Sequence, residues 1–445
     1  MFTKYMLEVN KGDKILLINT LTGAVDIVED SLMDKVKQGE KSELYYLLKS
    51  RGYLKEDEEK NIANVLAKYN NRISNFTNSI NLMLCLTYSC NLRCVYCFEK
   101  HKIHIRDEIM TIDQVQKAIN DIKQIILKKF NKSEFVVSLF GGEPLQKKTY
   151  ILVEKVLQIC AELGVYINVI TNGVELNQFV DLFSEYKKQI SIQVTLDGIR
   201  KIHNKNRPGY GFSDSYSIIS KNISLALEKN LQVVLRVNTT VESSNYLDDF
   251  FESKDVIEWM EYQNFRIEIA PVTNHFNENG QQVIYQESDI LDSILKSTKI
   301  FDYLGAKVSF TADMFRITGY LRCQLDSRLK YNVCPSIKYC EATQLTTFAV
   351  GPDNYVYLCT DTIGKQEYAA GTYYPELLLN EEYISALSKR NIFVMDKCKD
   401  CKIATFCGGG CPAAALKGQG NIKQGFCGNA KEVVAKFVAG INVES

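Results

Sequence analysis

Short apolar runs alternate with amphipathic segments through the middle of the chain. The runs lie at Leu82–Thr87, Phe135–Phe140, Tyr166–Thr171, Ile190–Leu196, Val233–Asn238 and Phe265–Pro271. Between them, apolar residues recur with helical spacing at Ile112–Lys129, Tyr150–Leu163, Leu176–Tyr186, Tyr216–Lys229 and Tyr246–Tyr262. This alternation predicts an α/β fold in which helices cover a parallel sheet. The number of units is typical of a partial (β/α)6 TIM-like barrel, where chemistry gathers at the carboxyl ends of the strands.

Different patterns flank this region, which we assign to residues 76–290. Residues 1–75 predict a small α+β module with strands at Tyr5–Val9 and Ile15–Asn19 and helices at Leu32–Lys37, Ser42–Lys49 and up to Arg72. Residues 291–330 are interpreted as connecting helices. Residues 331–445 are rich in Cys and have little apolar periodicity, so we expect this domain to need metal in order to fold.

The overall charge excludes some classes of partner. The 53 basic and 53 acidic residues of the 445-residue chain cancel, so we expect neither nucleic acid nor an anionic membrane to be bound. The first residues, Met1–Lys14, lack the apolar stretch of a signal peptide, and no apolar run reaches the length of a membrane span. We therefore expect a cytoplasmic protein.

Cysteine departs most from ordinary composition, with 14 Cys against 4 His. Clustered thiols in a long chain without a signal peptide favour a metal site, either iron–sulfur or structural zinc. Cys90, Cys94 and Cys97 follow the first strand with CxxxCxxC spacing. Three thiolates can hold three irons of a 4Fe–4S cube and leave the fourth iron open for a ligand. A zinc knuckle completed by a nearby His is the alternative.

This motif resembles the cluster loop of the radical S-adenosylmethionine (SAM) superfamily. Further family motifs follow at successive strand ends: Gly141-Gly142-Glu143-Pro144, Thr171-Asn172-Gly173, and the segment from Gln193 through Thr195 and Asp197 to Gly198. The resemblance implies that Gly141, Gly142, Glu143, Pro144, Asn172, Thr195 and Asp197 bind SAM. It also implies that Arg207 holds the SAM carboxylate, which suits a guanidinium fork.

A second group of thiols resembles the SPASM domain that follows the barrel in peptide-modifying radical SAM enzymes. The resemblance implies two auxiliary 4Fe–4S clusters, and hence three in all. The first auxiliary cluster would be held by Cys334, Cys340, Cys359 and Cys411, and the second by Cys398, Cys401, Cys407 and Cys427. Two structural zinc sites are the alternative. The remaining Cys85 and Cys160 lie inside apolar runs and are expected in the core, and Cys323 is interpreted as structural.

The resemblance also implies an activity. Reduction of SAM at the first cluster would yield a 5′-deoxyadenosyl radical that takes a hydrogen atom from the substrate, with ferredoxin or flavodoxin as electron donor. The module ahead of the barrel resembles leader-binding domains, so we expect a ribosomal precursor peptide as substrate and an oxidative thioether or C–C cross-link as product. Asp361 is the candidate base, one position beyond the place where sulfatase maturases carry theirs.

Two other hypotheses remain. One is an anaerobic sulfatase maturase that forms formylglycine. The other is a non-enzymatic protein with structural metal sites.

Overall fold

The computed structural model describes residues 1–76, 79–99, 108–273, 287–297, 299–300, 307–310 and 335–441. The chain divides into two compact units. The first, here called the terminal unit, consists of Met1–Phe76, Ala312–Thr343 and Lys389–Ser445. The second, called the central unit, consists of Thr77–Thr311 and Gln344–Ser388. Cys323 and Cys334 lie outside the described residues.

The terminal unit begins with a three-stranded antiparallel sheet in the order β1-β2-β3, formed by β1 (Met6–Lys11), β2 (Lys14–Asn19) and β3 (Val25–Glu29). The pairing of Lys11 with Lys14 closes a tight hairpin over Gly12 and Asp13. Helices follow at Asp30–Lys37, Glu43–Ser50 and Glu58–Phe76. Strand β3 was not predicted, because its short alternation of valine, isoleucine and acidic residues leaves only Val28 buried.

The C-terminal part of the same unit shares an apolar core with the N-terminal part. Tyr5 and Tyr69 pack in one cluster with Ile337, Ile392 and Met395. The helices in this part are Ala404–Cys407, Pro412–Gln419 and Ala430–Ala439. The Cys-rich segment therefore buries apolar side chains against residues from the other end of the chain.

The central unit is built on an eleven-stranded sheet. Its strands are β4 (Ser79–Cys85), β5 (Glu134–Phe140), β6 (Tyr166–Thr171), β7 (Ile190–Thr195), β8 (Gln232–Thr239), β9 (Phe265–Pro271), β10 (Val308–Phe310), β11 (Thr347–Val350), β12 (Tyr355–Tyr357), β13 (Gly371–Thr372) and β14 (Leu378–Leu379). The order is β10-β9-β8-β7-β6-β5-β4-β11-β12-β13-β14, and it is parallel from β10 to β11. Strands β4 to β9 lie in chain order, as the strand–helix alternation predicts, and the predicted α/β fold is confirmed.

Most helices of the central unit connect the parallel strands, and the last one follows β14. They are Ile112–Lys117, Lys123–Lys129, Tyr150–Glu162, Val180–Glu185, Arg200–Asn206, Ser215–Glu228, Val241–Ser244, Leu247–Phe251, Lys254–Met260, Glu287–Lys296, Glu341–Gln344 (shared with the terminal unit) and Glu381–Ser388. The segment predicted as one helix over Ile112–Lys129 contains a π-helical stretch, Ala118–Ile122. The helix predicted over Tyr246–Tyr262 is interrupted, because the backbone of Ser253 is extended. Within the predicted connecting helices, Val308–Phe310 forms a strand that pairs with β9.

Strand register brings the carboxyl ends of neighbouring strands to the same level. Cys85 at the end of β4 lies beside Phe140 at the end of β5, and Thr195 of β7 lies beside Arg236 of β8. Cys85 and Cys160 are both fully buried. No helix among the described residues combines the length and the apolar character needed to cross a bilayer.

A buried guanidinium organises the loops of the Cys-rich segment. Arg390, which is 3% exposed, donates to the carbonyl oxygens of Ile422 (2.6 Å), Gly409 (2.9 Å), Gly410 (2.8 Å) and Gln424. A lysine ammonium has three donors on one atom and cannot reach carbonyls on both sides of a planar fork.

Arg390→Lys should therefore lower the free energy of unfolding by roughly 3 kcal/mol, the value of about two charge-assisted hydrogen bonds. Urea unfolding of the reconstituted protein, followed by near-UV circular dichroism, measures the change. Lys389→Arg, an equally conservative exchange at the exposed neighbouring position, is the control. Equal stability of the two variants would contradict the role given to Arg390.

Candidate active site

A cavity of about 460 Å³ opens at the carboxyl ends of the parallel strands. Its wall contains the three thiols of the CxxxCxxC loop together with residues that follow β5, β6, β7 and β8. The lining residues with candidate roles are Cys90, Cys94, Cys97, Gly141, Gly142, Glu143, Asn172, Thr195, Arg207 and Asp361. The strand-end motifs are separated in sequence but converge here because parallel strands direct their carboxyl ends to one edge of a sheet.

The three thiols of the loop are half-buried in the cavity wall. Burial raises the pKa of Cys97 to about 12, and the nearby Glu99 carboxylate adds to the rise. Burial likewise raises the pKa of Cys90 and of Cys94. Thiols in such surroundings become thiolates only next to a strong positive charge such as iron, which deprotonates its sulfur ligands. The chemistry of this donor set fits a cluster with three protein ligands.

The GGEP turn must pass very close to the cysteine loop. A Cβ atom at Gly142 would lie 2.2 Å from the carbonyl oxygen of Ser89, and one at Gly141 would lie 2.0 Å from Sγ of Cys85. Gly141 also has a φ of +86°, which disfavours any side chain. Glycine at both positions is therefore required for the turn to pack beneath the loop.

The Glu143 carboxylate is held by groups from the next strand end. It accepts hydrogen bonds from the Thr171 hydroxyl (2.5 Å), the Asn172 backbone N–H (2.7 Å) and the Leu145 backbone N–H (2.9 Å). Burial raises the pKa of Glu143 to about 7, although these hydrogen bonds oppose the rise. The same carboxylate that lines the cavity thus fixes the position of Asn172.

A hydroxyl between two of the cysteines lies at the centre of a second polar network. Tyr96 donates to Asp197 (2.5 Å) and accepts from Nη1 of Arg207 (2.9 Å) and from the Asn238 side chain (3.3 Å). Burial raises the pKa of Asp197 to about 6, while the Arg207 cation and the Tyr96 hydrogen bond oppose the rise. The network joins the cysteine loop to the ends of β7 and β8.

Two polar atoms of this network lack a partner among the described residues. Nε of Arg207 and Oδ1 of Asp197 are both buried without a hydrogen bond. A buried cation with an unused donor is costly unless a ligand completes it. Because Arg207 lines the cavity, an anionic group such as a carboxylate fits in front of it.

Asp361 approaches the cavity from the other part of the central unit. It lies in the single turn Thr360–Thr362, directly after Cys359, and is half-buried in the cavity wall with Thr360. Arg236 also lines the cavity, with Glu268 3.7 Å from its guanidinium. The cavity wall therefore also contains a carboxylate and a guanidinium group.

The structure brings most of the predicted site residues to one cavity, but not all of them. Pro144 is buried behind the wall, where its carbonyl oxygen accepts from the Thr149 hydroxyl. Asp197 is fully buried, and its hydrogen bond with Tyr96 connects it to the cavity wall. The sequence alone assigns no role to Arg236 or to the Tyr96 hydroxyl, because the partners of both groups lie in distant parts of the sequence.

The thiols of the second Cys group are divided between the units. Cys340, Cys398, Cys401, Cys407, Cys411 and Cys427 belong to the terminal unit, and Cys359 belongs to the central unit. Burial raises the pKa of Cys407 to about 12, and Cys398, Cys401 and Cys427 add to the rise. Cys398 and Cys401 are joined by a backbone hydrogen bond (3.0 Å), and a backbone hydrogen bond from Phe426 to Gly409 (2.9 Å) brings the segments of Cys427 and Cys407 together. Among the described residues, no three His, Cys, Asp or Glu side chains are arranged to hold a single metal ion.

Residues 84–242 match the model of the radical SAM superfamily. These residues therefore form a radical SAM domain, as the motifs predicted, and the chain is an enzyme. Radical SAM domains use a 4Fe–4S cluster and SAM, and the donor set and the unsatisfied Arg207 fit these two groups.

Two curated relatives share much of the chain at moderate identity. GTP 3′,8-cyclase of Clostridium perfringens (strain SM101) is 27% identical over 62% of this chain and 79% of its own length. The cysteine-type anaerobic sulfatase-maturating enzyme of Clostridium novyi (strain NT) is 26% identical over 73% of this chain and 85% of its own.

Two solved structures share the fold. The structure of native anSMEcpe with bound AdoMet aligns with a TM-score of 0.57 at 19% identity, and covers 81% of this chain and 98% of its own. Streptococcus suis SuiB bound to its precursor peptide SuiA aligns with a TM-score of 0.56 at 14% identity, and covers 95% of this chain and 98% of its own.

Removal of the Tyr96 hydroxyl should weaken SAM binding. Tyr96→Phe releases Arg207 from its hydrogen bond and should raise the Kd for SAM about tenfold, the equivalent of one charge-assisted hydrogen bond. Calorimetric titration of the reconstituted enzyme measures the Kd. Tyr166→Phe, at an exposed position on β6, is the matched control. An unchanged Kd in Tyr96→Phe with normal iron content would contradict this role.

His203 should make the central unit sensitive to acid. Its ring is fully buried, Nδ1 accepts the Asp197 backbone N–H (3.1 Å), and Nε2 lacks a partner among the described residues. Burial lowers the pKa of His203 well below its ordinary value, and the Arg207 cation adds to this effect. The unfolded chain therefore binds a proton that the folded chain does not, so stability is lost as the pH falls below about 6.5.

Between pH 7.5 and 5.5, His203 should contribute about 1.4 kcal/mol to the loss of unfolding free energy. Urea unfolding curves of the wild type and His203→Gln at both pH values measure this difference. The variant, whose amide can accept the same bond without titrating, should lose that much less. Parallel losses in both proteins would contradict the assignment.

Proposed function

We propose that the chain is a radical SAM maturase that oxidises a ribosomally made precursor peptide and forms a thioether or C–C cross-link in it. One observation supports this proposal most: the same chain contains a cavity lined by Cys90, Cys94 and Cys97 and a small sheet whose edge strands, among the described residues, are unpaired on one side. Strand β3 is an edge of the three-stranded sheet, and an extended peptide can add to such an edge. SuiB, whose structure contains its precursor peptide, covers 95% of this chain, which supports this choice of substrate.

We assign the cofactor-binding residues on the basis of the cavity. Cys90, Cys94 and Cys97 would hold the catalytic 4Fe–4S cluster, and Arg207 would hold the SAM carboxylate. The remaining residues proposed for SAM binding are Gly141, Gly142, Glu143, Asn172 and Thr195 in the cavity wall, with Pro144 and Asp197 supporting them from behind it. Bound together, the cluster and SAM supply a strong hydrogen-atom acceptor. The cavity walls exclude water and orient the peptide.

Cross-linking also requires removal of a proton. A thioether formed from an S–H and a C–H group releases one hydrogen atom, one electron and one proton. Asp361 lies in the cavity wall and is the proposed base. Two auxiliary clusters, held by the Cys sets named above, would provide redox chemistry near the peptide. Ferredoxin or flavodoxin is the proposed electron donor, and the cytoplasm is the proposed location.

Sulfatase maturation is the second candidate. The relative from Clostridium novyi, named a cysteine-type anaerobic sulfatase-maturating enzyme, is covered over 85% of its length. Both reactions begin with hydrogen abstraction, and they differ in the fate of sulfur. A thioether retains the cysteine sulfur in the peptide, whereas conversion of Cys to formylglycine removes it.

The test uses enzyme reconstituted anaerobically with iron and sulfide. About twelve irons per chain, falling to about eight when Cys90, Cys94 and Cys97 are all replaced by Ala, are expected for three cubes. Dithionite and SAM should give 5′-deoxyadenosine in the unmutated enzyme alone. Zinc in place of iron, without 5′-deoxyadenosine, would favour the non-enzymatic hypothesis.

The product decides between the two maturases. The enzyme is incubated with SAM, dithionite and either a Cys-containing precursor peptide encoded beside its gene or a peptide from a sulfatase active site. Mass spectrometry should show loss of two hydrogens with all sulfur retained in the precursor, and no change in the sulfatase peptide. Sulfur loss from the sulfatase peptide alone would contradict peptide cross-linking.

A further inference from the structure

A second concave surface lies entirely within the terminal unit. It encloses about 710 Å³ between β1, the loop around Cys401 and the helix Ala430–Ala439. Apolar side chains form its floor, among them Leu7, Val9, Ile403, Val434 and Val438. We call this surface the basic groove, for the charges described next.

Three lysines border the basic groove and are left uncompensated. Lys397, Lys402 and Lys431 are exposed in its wall, and no carboxylate pairs with them in the part of the chain that the structure describes. The groove also contains two acidic residues, but each has a cation of its own. Glu8 bonds Lys37 (2.6 Å), and Asp400 bonds Lys4 (3.4 Å). The groove therefore carries an excess of positive charge around an apolar floor.

Thiols of the proposed second auxiliary cluster reach this surface. Cys401 and Cys427 line the groove, and Cys427 is exposed. The other two members of the set lie behind them, with Cys398 6% exposed. The backbone holds this donor set together. The Cys401 N–H donates to the Cys398 carbonyl (3.0 Å), and the N–H of Phe426, next to Cys427, donates to the carbonyl of Gly409, two residues after Cys407 (2.9 Å). A cluster held there would lie next to the basic groove.

We propose that the basic groove docks an acidic one-electron carrier protein of the flavodoxin or ferredoxin type. The positive border would meet acidic side chains of the carrier, and the apolar floor would bury the centre of the contact. Interfaces of weak redox complexes are small and depend on such complementary charge for their rate and orientation. This inference rests on the proposed function, which needs an electron carrier.

The electron count requires such a carrier. Joining an S–H and a C–H group into a thioether leaves one electron after the hydrogen atom has gone to the SAM-derived acceptor and the proton has gone to the base. The docked oxidised carrier accepts that electron and is reduced by one electron. The same carrier in its reduced form can deliver one electron to begin the next turnover, so that a single docking surface serves both exchanges.

Docking is tested by binding, without substrate or SAM. Reconstituted enzyme is titrated with a fluorescently labelled recombinant flavodoxin of net negative charge, at low salt and at about 0.15 M salt, where the Debye length is about 8 Å. The triple variant Lys397→Glu, Lys402→Glu, Lys431→Glu should bind at least about tenfold more weakly, and salt should weaken the wild-type complex. The control triple variant carries Glu at the exposed lysines Lys187, Lys188 and Lys201 of the central unit and should bind as the wild type does.

A second variant tests the groove without changing its charge. Ala435, which is exposed in the groove, is replaced by Trp, and flavodoxin binding should again fall. All variants should retain full iron content and dithionite-driven 5′-deoxyadenosine formation, because dithionite needs no docking. These readouts separate a failure of docking from a failure of the proposed function.

Equal flavodoxin affinity in the wild type and the groove triple variant would overturn the proposal. So would equal weakening by the control triple variant, which would indicate unspecific charge attraction. Retained flavodoxin binding in Ala435→Trp, together with loss of precursor-peptide binding, would assign the groove to an extended peptide on β1 instead.

Discussion

The candidate site depends most on the hydrogen bonds that the Glu143 carboxylate accepts. It stands at the end of β5 and accepts hydrogen bonds from Thr171 and Asn172 at the end of β6. A buried carboxylate is stable only when its oxygens are satisfied, so the two turns cannot separate without leaving it unpaired. The parallel register makes this possible, because both turns begin at the same edge of the sheet.

The cysteine loop is held from two sides by this arrangement. On one side, the glycine turn before Glu143 approaches so closely that a Cβ at Gly142 would meet the Ser89 carbonyl. On the other side, the Tyr96 hydroxyl connects the loop to Asp197 and Arg207. Any shift of the loop therefore changes the position of the cation that would meet SAM. The residues proposed to hold the cluster and those proposed to hold SAM are thus joined by packing and hydrogen bonds, even though they come from different strands.

Much of this arrangement follows from local sequence, and some does not. The apolar runs predicted β6 and β9 at their observed bounds, because buried apolar residues alternate along them with more exposed positions, which is typical of a strand. The motifs at the strand ends predicted most of the residues that come together in the cavity wall. The partners of Tyr96 were not predictable, since Asp197 and Asn238 are over a hundred positions away. The π-helical stretch at Ala118–Ile122 interrupts a continuous helical pattern, which apolar spacing alone does not distinguish.

The terminal unit shows how a segment with weak apolar patterning acquires a core. Residues such as Ile392 and Met395 pack against Tyr5 and Tyr69, so apolar partners missing locally are supplied by the first residues of the chain. Arg390 joins the loops between the cysteines, because its guanidinium donates hydrogen bonds to four backbone carbonyls. A planar cation suits this position because loops without regular secondary structure have few backbone partners of their own. The N-terminal module is thus part of the scaffold that holds the second set of thiols. A destabilising substitution in the module should therefore also destabilise the segment that carries these thiols.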